Sequence, residues 1–407
     1  MNGQNPENRK FVPFHLPAIG EEEIQEVVAT LRSGWLTTGE RTARFERDFT
    51  AYTGARHALA VNSCTAGLHL ALAALGVGPG DEVITTPLTF CATVNTILHV
   101  GATPVLADVG ADCNIDPKSI EARITPRTRA ILPVHLAGIP CDMEAIGAIA
   151  RRHNLFVVED AAHAIGSFYR GRSIGAAGGG SSDAVAWSFY ATKNITTGEG
   201  GMVTTNNPDL AARMKVLCLH GISKDAWNRY TEKGSWYYEV LEPGFKYNLS
   251  DLQSAIGIHQ LRKVDALTAA RRSRAAMYNE YFRGVDEIEL PPDGAPGENS
   301  WHIYALRLHL DRLGIGRNEF MDELKKRGVG ASVHFIPIPL HPFFAEWAKR
   351  PENDCPRAMK LWPRLVSLPL FPGLRDEQVD AVAAAVLEIV REHSRRALAV
   401  AAAGPAR

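Results

Sequence analysis

Short apolar runs alternate with helical patterns between residues 55 and 205. Most of the apolar runs are continuous, as expected for strands that are covered on both faces. The predicted strands are 58–61, 82–85, 104–107, 130–134, 156–159, 184–189 and 201–205, and the predicted helices are 66–75, 92–100 and 143–153. The alternation predicts an α/β domain with a mostly parallel, seven-stranded sheet. Ligands of such sheets bind at the carboxyl ends of the strands.

The pattern changes after Asp251. One long helix is predicted from about residue 252 through 274 and on towards 282. A loop, a strand, a helix, a proline-rich segment and a final helix follow, at 291–300, 302–310, 317–327, 336–343 and 376–393. We therefore predict a large domain at 14–260 and a smaller C-terminal α+β domain at 261–395, with flexible ends at 1–13 and 396–407.

Composition narrows the class of protein. The 407 residues are 45% apolar and 22% charged, which is ordinary for a globular enzyme. A formal net charge of −1 argues against a nucleic-acid or polybasic membrane surface. The six cysteines form no CxxC pair, and the polar N-terminus does not resemble a signal peptide. No apolar run approaches the ~20 residues that span a bilayer. We expect a cytoplasmic protein.

One lysine lies between two predicted buried strands, in WSFYATKNITTGEGGMV (187–203). Most loop lysines are solvated, but Lys193 is surrounded by small, flexible residues. Asp160 ends another predicted strand, where an acid is more often a helix N-cap. An amine and a carboxylate at neighbouring strand ends suit pyridoxal phosphate, which needs the first for a Schiff base and the second to keep its ring nitrogen protonated.

A third strand end offers a place for the phosphate. Ser63 and Thr65 lie in a small polar turn between a strand and a helix, where free N–H groups and the helix dipole favour an anion. Phe90 follows another strand and provides a ring that could stack on the cofactor, although a lone phenylalanine is more often core. Each signal is weak alone, and together they favour a pyridoxal-phosphate site.

Six motifs closely resemble those of the nucleotide-sugar aminotransferases of the DegT/DnrJ/StrS group: SGWLTTGE, VNSCTAGLHLAL, VVEDAAHAIG, WSFYATKNITTGEGG, PGFKYNLSDLQSAIG and SLPLFPGL. The resemblance runs from about Phe14 to Val390, with the motifs in the expected order. It implies the aspartate aminotransferase-like fold type I and a ping-pong transfer of an amino group, most often from glutamate, to a keto sugar. It also implies a homodimer with shared active sites.

The resemblance also implies roles for individual residues. Lys193 would form the Schiff base, and Asp160 would pair with the pyridine nitrogen. The other cofactor contacts would be His163 beside the ring, Phe90 stacked on it, Thr65, Ala66 and Ser188 at the phosphate, and Asn248 at the phosphate of the neighbouring subunit. Tyr190 stands where relatives often have histidine, which puts a hydrogen-bonding role at that position in doubt.

Substrate contacts are predicted in several segments. Trp35 and Thr37 lie in a polar segment (33–39) that suits a hydroxylated ring, and His334 is expected to line the cleft. Arg229 of the partner subunit could bind a diphosphate through its guanidinium fork. By resemblance, the 246–251 segment is of the type found in enzymes that aminate C4 of a sugar. The middle region, including 225–227, is most similar to the branch that forms UDP-4-amino-4-deoxy-L-arabinose, and relatives that act on acetamido hexoses are also similar.

Other functions have less support. A deoxysugar dehydratase of this group would carry histidine in place of Lys193. Amination at C3 and a non-catalytic, pyridoxal-phosphate-binding regulator stay open as alternatives. A metal site is not expected, because His135, His163 and His334 are not spaced along the sequence as metal ligands are.

Overall fold

The structure, a computed structural model, describes residues 11–177, 182–223, 237–295, 297–345 and 350–395. Its helices are α1 (Glu21–Ser33), α2 (Glu40–Thr53), α3 (Cys64–Ala74), α4 (Cys91–His99), α5 (Pro117–Glu121), α6 (Met143–His153), α7 (Pro208–Cys218), α8 (Asp251–Arg262), α9 (Val264–Phe282), α10 (Arg317–Lys326), α11 (Pro351–Asp354), α12 (Pro356–Leu361) and α13 (Asp376–His393). Its strands are β1 (His57–Val61), β2 (Glu82–Thr85), β3 (Thr103–Leu106), β4 (Thr128–Leu132), β5 (Phe156–Asp160), β6 (Phe168–Tyr169), β7 (Arg172–Ser173), β8 (Ala184–Ser188), β9 (Gly201–Thr205), β10 (Ile288–Glu289), β11 (Tyr304–Leu308) and β12 (Leu365–Leu368).

Seven strands form the large sheet, in the order β1-β9-β8-β5-β4-β2-β3. β9 is antiparallel to both of its neighbours, and the other adjacent pairs are parallel. All residues of β2, β8 and β9 are buried, which explains why these strands are continuous apolar runs. The predicted mostly parallel, seven-stranded sheet is confirmed, and each predicted strand agrees with an observed one to within two residues.

A second, antiparallel sheet is built by β10, β11 and β12. It shares a core with α9, α10 and α13, and the core contains the buried side chains of Tyr278, Tyr304, Phe320, Leu368 and Val386. This is the α+β arrangement that was predicted for the C-terminal part. The proposed boundary at residue 260 falls in the last turn of α8 and stays a prediction.

The predicted long helix from 252 towards 282 is wrong, because it is two helices. α8 ends at Arg262 and α9 begins at Val264, with Lys263 between them at φ −97° and ψ −4°. The Lys263 ammonium lies 2.9 Å from a carboxylate oxygen of Glu23 and 3.0 Å from one of Glu22, both in α1. This contact between distant parts of the chain accompanies the break, and no glycine or proline marks it in the sequence.

α8 also packs closely against α2. A Cβ added at Gly257 would lie 2.7 Å from two ring atoms of Phe45, so glycine allows the two helices to approach. Phe45 and Phe49 of α2 lie in one core cluster with Trp187, Phe189 and other side chains around the loop that follows β8. Among the described helices, none combines the length and the apolar composition that a bilayer crossing requires.

Candidate active site

Lys193 lies in the loop between β8 and β9, and backbone hydrogen bonds hold both ends of that loop. The N–H of Phe189 donates to the carbonyl of Gly200 (2.9 Å), and the carbonyl of Phe189 accepts from the N–H of Thr197 (2.9 Å). The N–H of Lys193 donates to the carbonyl of Tyr190 (2.9 Å). The closed loop places the lysine side chain in the wall of a cavity of about 450 Å³.

The cavity changes the acidity of the lysine. Burial lowers the pKa of Lys193, and the charge of Asp160 partly opposes this effect. Among the described residues, no side chain forms a hydrogen bond or an ion pair with its Nζ. A larger fraction of unprotonated amine is therefore present near neutral pH than for an ordinary lysine, as a nucleophilic amine requires.

Asp160 lines the same cavity at the end of β5. Its Oδ2 accepts from the hydroxyl of Thr93 (2.8 Å), and its Oδ1 accepts from the N–H of Ala162 (3.1 Å). The neighbouring acid, Glu159, is instead 2.6 Å from Nε2 of His135, whose Nδ1 accepts from the N–H of Cys141. His135 and Glu159 therefore form a buried structural pair, and of the two neighbouring acids Asp160 is the one that lines the cavity.

Two histidine rings lie side by side in the cavity wall, 4.3 Å apart. Nδ1 of His163 accepts from the N–H of Ala137 (3.3 Å), so the neutral ring carries its hydrogen on Nε2. Burial lowers the pKa of both His163 and His302 well below its ordinary value. Both rings are therefore neutral near pH 7.

The tautomer of His302 follows from Asn194, the residue after Lys193. The Asn194 amide nitrogen donates to the carbonyls of Ile165 and Ser300 (both 3.3 Å), so its oxygen must be the atom that faces Nδ1 of His302 (2.8 Å). An oxygen only accepts, and Nδ1 of His302 therefore carries the hydrogen. The two rings thus have opposite tautomers, with a donor at Nε2 of His163 and an acceptor at Nε2 of His302.

The N-terminus of α3 forms another part of the wall, through Ser63, Cys64 and Thr65. The hydroxyl of Ser63 accepts the N–H of Ala66 (3.1 Å), and the other N–H groups of the first turn have no acceptor within the helix. A Cβ at Gly201 would lie 2.6–2.7 Å from backbone atoms of Ser63 and Cys64, so glycine lets β9 approach this turn. Such a helix end suits a phosphate.

The remaining predicted cofactor residues differ in position. Ser188 and Phe90 line the cavity. The ring of Phe90 is 59% exposed and 6.0 Å from that of Phe335, which is stacked on His163 at 5.8 Å. Ala66 is not among the lining residues, and its N–H donates to the hydroxyl of Ser63. Tyr190 lines the cavity and is 46% exposed.

Asn248 is also outside the lining of its own chain's cavity. Its backbone pairs with Val61 at the end of β1, next to the turn before α3. Its side chain donates to the hydroxyl of Thr38 (2.6 Å) and accepts from the ammonium of Lys246 (2.7 Å). The predicted contact with a neighbouring subunit's phosphate stays a prediction.

The predicted substrate residues are spread over three places. His334 lines the cavity, its ring stacked on that of Phe14 at 5.4 Å. Trp35 and Thr37 do not line it, and the segment around them is held to α8, where the carbonyl of Thr37 accepts from the N–H of Asp251 (3.1 Å). Arg229 and the 225–227 motif lie outside the described residues.

Sequence reasoning missed several lining residues, among them His15, Thr89, Thr93 and His302. Thr93 lies one helical turn beyond Thr89 and near the predicted Phe90, a spacing that could have suggested it. His15 and His302 lie outside the strand ends of the large sheet, and no local motif pointed to them.

The donor set fits pyridoxal phosphate. An amine of lowered pKa, a buried carboxylate and a helix N-terminus share one cavity of about 450 Å³. Lys193 would hold the aldehyde carbon, Asp160 the ring nitrogen, and the first turn of α3 the phosphate.

Comparisons with known proteins agree with this chemistry. The family model described as the DegT/DnrJ/EryC1/StrS aminotransferase family matches residues 17–387. The spore coat polysaccharide biosynthesis protein SpsC of Bacillus subtilis is 51% identical over 383 residues, which are 94% of this chain and 97% of SpsC.

Solved structures that are similar to this chain over nearly its whole length include those of two proteins. Spr1654 of Streptococcus pneumoniae, described as a candidate sugar aminotransferase, has been solved in its PMP form (TM-score 0.86, 35% identity) and its PLP form (0.85, 34%). Each comparison covers 94% of this chain and 99% of Spr1654. Helicobacter pylori PseC, an aminotransferase involved in the biosynthesis of pseudoaminic acid, has a TM-score of 0.86 at 31% identity, covering 94% of this chain and 100% of PseC.

Proposed function

Because the chain belongs to the DegT/DnrJ/EryC1/StrS aminotransferase family, we propose that it transfers an amino group from glutamate to a nucleotide-linked 4-keto sugar. It is a pyridoxal-phosphate-dependent sugar aminotransferase. The observation that carries the proposal is the position of Lys193 and Asp160 in the wall of one cavity, at the ends of neighbouring strands.

Pyridoxal phosphate, when bound, supplies the electron sink through which an amino group is exchanged for a carbonyl oxygen. Lys193 is the nucleophilic amine that binds it and the acid–base that moves a proton at its Nζ. Its lowered pKa favours both roles. One lysine serves both half-reactions, in which the donor leaves as a keto acid before the keto sugar enters.

The other residues of the cavity wall bind and orient the cofactor and the substrate. The Asp160 carboxylate holds a positive charge at the ring nitrogen, and the first turn of α3 binds the phosphate through N–H groups and its dipole. Ser188 contributes its hydroxyl beside them. His163 and Phe90 provide ring faces, and His334 meets the substrate.

The sugar is supported by the relatives and by the 246–251 segment. SpsC is named as a protein of spore coat polysaccharide biosynthesis, and PseC as an aminotransferase of pseudoaminic acid biosynthesis. Both names favour an amino sugar of a surface glycan as the product. The 246–251 segment resembles that of C4 enzymes. A UDP-linked 4-keto pentose, the precursor of UDP-4-amino-4-deoxy-L-arabinose, is the first specific candidate, with UDP-linked acetamido hexoses next.

Charge favours a contribution from a second subunit. Among the described lining residues, Lys193 is the only lysine or arginine. A cofactor phosphate and a nucleotide diphosphate need further cations or donors, which Arg229 and Asn248 of the partner subunit would supply in a homodimer. Each subunit would then give and receive the same contacts across a two-fold axis.

The test is a matched panel of 4-keto and 3-keto nucleotide sugars, incubated with the loaded enzyme and glutamate and scored by product mass. We expect a glutamate-dependent amine product from 4-keto sugars. Turnover restricted to 3-keto sugars would place the chemistry at C3. Turnover of amino-acid keto acids alone would exclude a sugar substrate.

A further inference from the structure

A chain of two buried hydroxyls leads to Asp160. Thr89 precedes α4, Thr93 lies in its first turn, and both line the cavity wall with 2% or less of their surface exposed. The hydroxyl oxygens of Thr89 and Thr93 are 2.7 Å apart, and the Thr93 hydroxyl is 2.8 Å from Oδ2 of Asp160. Neither threonine belongs to the cofactor residues argued above.

The direction of these hydrogen bonds follows from counting hydrogens. An ionised carboxylate accepts and cannot donate, so the single hydroxyl hydrogen of Thr93 points to Asp160. The contact between the two threonines must then be a donation from Thr89 to Thr93. With Oδ1 accepting from the N–H of Ala162, the ionised Asp160 accepts at both of its oxygens.

These bonds act against the effect of burial. Burial raises the pKa of Asp160, which favours the neutral acid. The hydrogen bond from Thr93 is the largest opposing effect, ahead of the Ala162 N–H and the charge of Lys193. A hydrogen bond to an ionised group is stronger than one between neutral groups, so the bond from Thr93 favours the ionised form of the acid over the protonated form.

We propose that Thr93 is a positioning residue of the cofactor site, which keeps the Asp160 carboxylate ionised and correctly oriented, while Thr89 fixes the orientation of the Thr93 hydroxyl. The inference rests on the proposed role of Asp160 at the ring nitrogen. It does not depend on which sugar is the substrate.

The test compares Thr93→Val, which removes the hydroxyl, with Thr93→Ser, which retains it. Thr96→Val is the matched control, because Thr96 is a buried threonine of the same helix. Its hydroxyl donates to the backbone carbonyl of Thr93 and not to Asp160. The first readout is the dissociation constant for pyridoxal phosphate, measured by adding the cofactor to cofactor-free protein. The second is the pH dependence of the absorption of the bound cofactor. Neither requires a sugar, so a failed sugar panel would leave them interpretable.

We expect Thr93→Val to weaken binding about tenfold, the effect of losing one hydrogen bond to a charged group. The pH at which the absorption of the bound cofactor changes should also be shifted. Thr93→Ser and Thr96→Val should both stay close to the wild type. Thr89→Val should change both readouts in the same direction as Thr93→Val, but by a smaller amount. It provides the test if Thr93→Val does not fold.

A double-mutant cycle shows whether Thr93 acts through Asp160. In an Asp160→Ala background the hydroxyl has no carboxylate to hold, so Thr93→Val should have almost no further effect on binding. An equal effect in both backgrounds would overturn the proposal. So would a Thr96→Val variant that matches Thr93→Val, since both losses would then reflect general packing.

Discussion

At the scale of the residue, four histidines line the cavity around Lys193: His15, His163, His302 and His334. Burial is the main cause that lowers the pKa of each, and the charge of Lys193 adds to it. For His15 and His334 the pKa falls from 6.5 to about 4. These four histidines are thus neutral near neutral pH, and the carboxyl and amine side chains among the other described lining residues are those of Asp160, Glu199 and Lys193.

This arrangement predicts the pH dependence of stability in the cofactor-free protein. A histidine whose folded pKa lies below its unfolded value binds its proton at lower pH when folded. The free energy of unfolding should therefore fall as the pH falls from about 6.5 to about 4, by up to about 3 kcal/mol for His334. Denaturant unfolding of His334→Gln should show a weaker loss over that range.

His309→Gln is the control, since His309 follows β11 and does not line the cavity. If His334→Gln and the wild type lose stability in parallel between pH 6.5 and 4, the histidine account is wrong.

At the scale of the element, the carboxylate of Asp251 joins two helices. It lies in the first turn of α8 and accepts from the N–H of Gly39 (2.8 Å), the N–H of Thr42 (2.9 Å) and the hydroxyl of Thr42 (2.7 Å) at the start of α2. A carboxylate there bonds N–H groups that have no acceptor within α2. It also fixes the segment that contains Trp35 and Thr37.

Asp251→Ala should therefore lower the free energy of unfolding by about 3 kcal/mol, because several buried donors lose their acceptor. Chemical denaturation measures the change. Asp265→Ala is the matched control, since Asp265 accepts one exposed hydrogen bond from Tyr52 and its loss should cost less than about 1 kcal/mol. Equal losses in the two variants would contradict the capping role.

Gly201 provides a second prediction at this scale. A Cβ there would lie 2.6–2.7 Å from backbone atoms of Ser63, Cys64 and Trp187, none of which can move independently. Gly201→Ala should lower stability by about 1–3 kcal/mol and weaken pyridoxal-phosphate binding, because it displaces the turn before α3.

The control is Gly373→Ala, whose Cβ would meet one ring carbon of Phe371 at 4.0 Å. Thermal unfolding and cofactor titration of both variants make the comparison. Unchanged cofactor affinity in Gly201→Ala would show that the close approach is not needed for the phosphate turn.

The same elements show what the sequence can and cannot predict. β2 and β9 were predicted correctly because strands covered on both faces are continuous apolar runs. Lys193 and Asp160 were placed in one cavity because both follow strands of one sheet. The break at Lys263 is accompanied by contacts with Glu22 and Glu23, and His302 is hydrogen-bonded to Asn194, the residue after Lys193. Such contacts between distant parts of the chain leave no local pattern.

At the scale of the whole molecule, the cavity is assembled from the large sheet and from segments near the second sheet. Asp160 and Lys193 come from the first, and His302, His334 and Leu368 from the second. The described part of one chain supplies few cations to it, which is why we propose that a second subunit completes each site.

Mixing two inactive variants tests this proposal. Lys193→Ala removes the nucleophile, and Asn248→Ala removes the residue proposed to reach the neighbour's phosphate. Hybrid dimers should regain activity, because one of their two sites has an intact Lys193 and an intact Asn248 from the partner subunit. Up to about a quarter of wild-type activity is expected from random mixing. A fully active monomer, or no recovery after demonstrated subunit exchange, would contradict shared sites.

The central claim is that Lys193 binds pyridoxal phosphate covalently, and one measurement tests it most directly. The loaded protein is reduced with borohydride, digested and mapped by mass spectrometry. The account predicts the pyridoxyl mass on Lys193, and a folded Lys193→Ala variant that binds the cofactor without a covalent link and without transamination. An adduct on another lysine, or measurable turnover by Lys193→Ala, would contradict it.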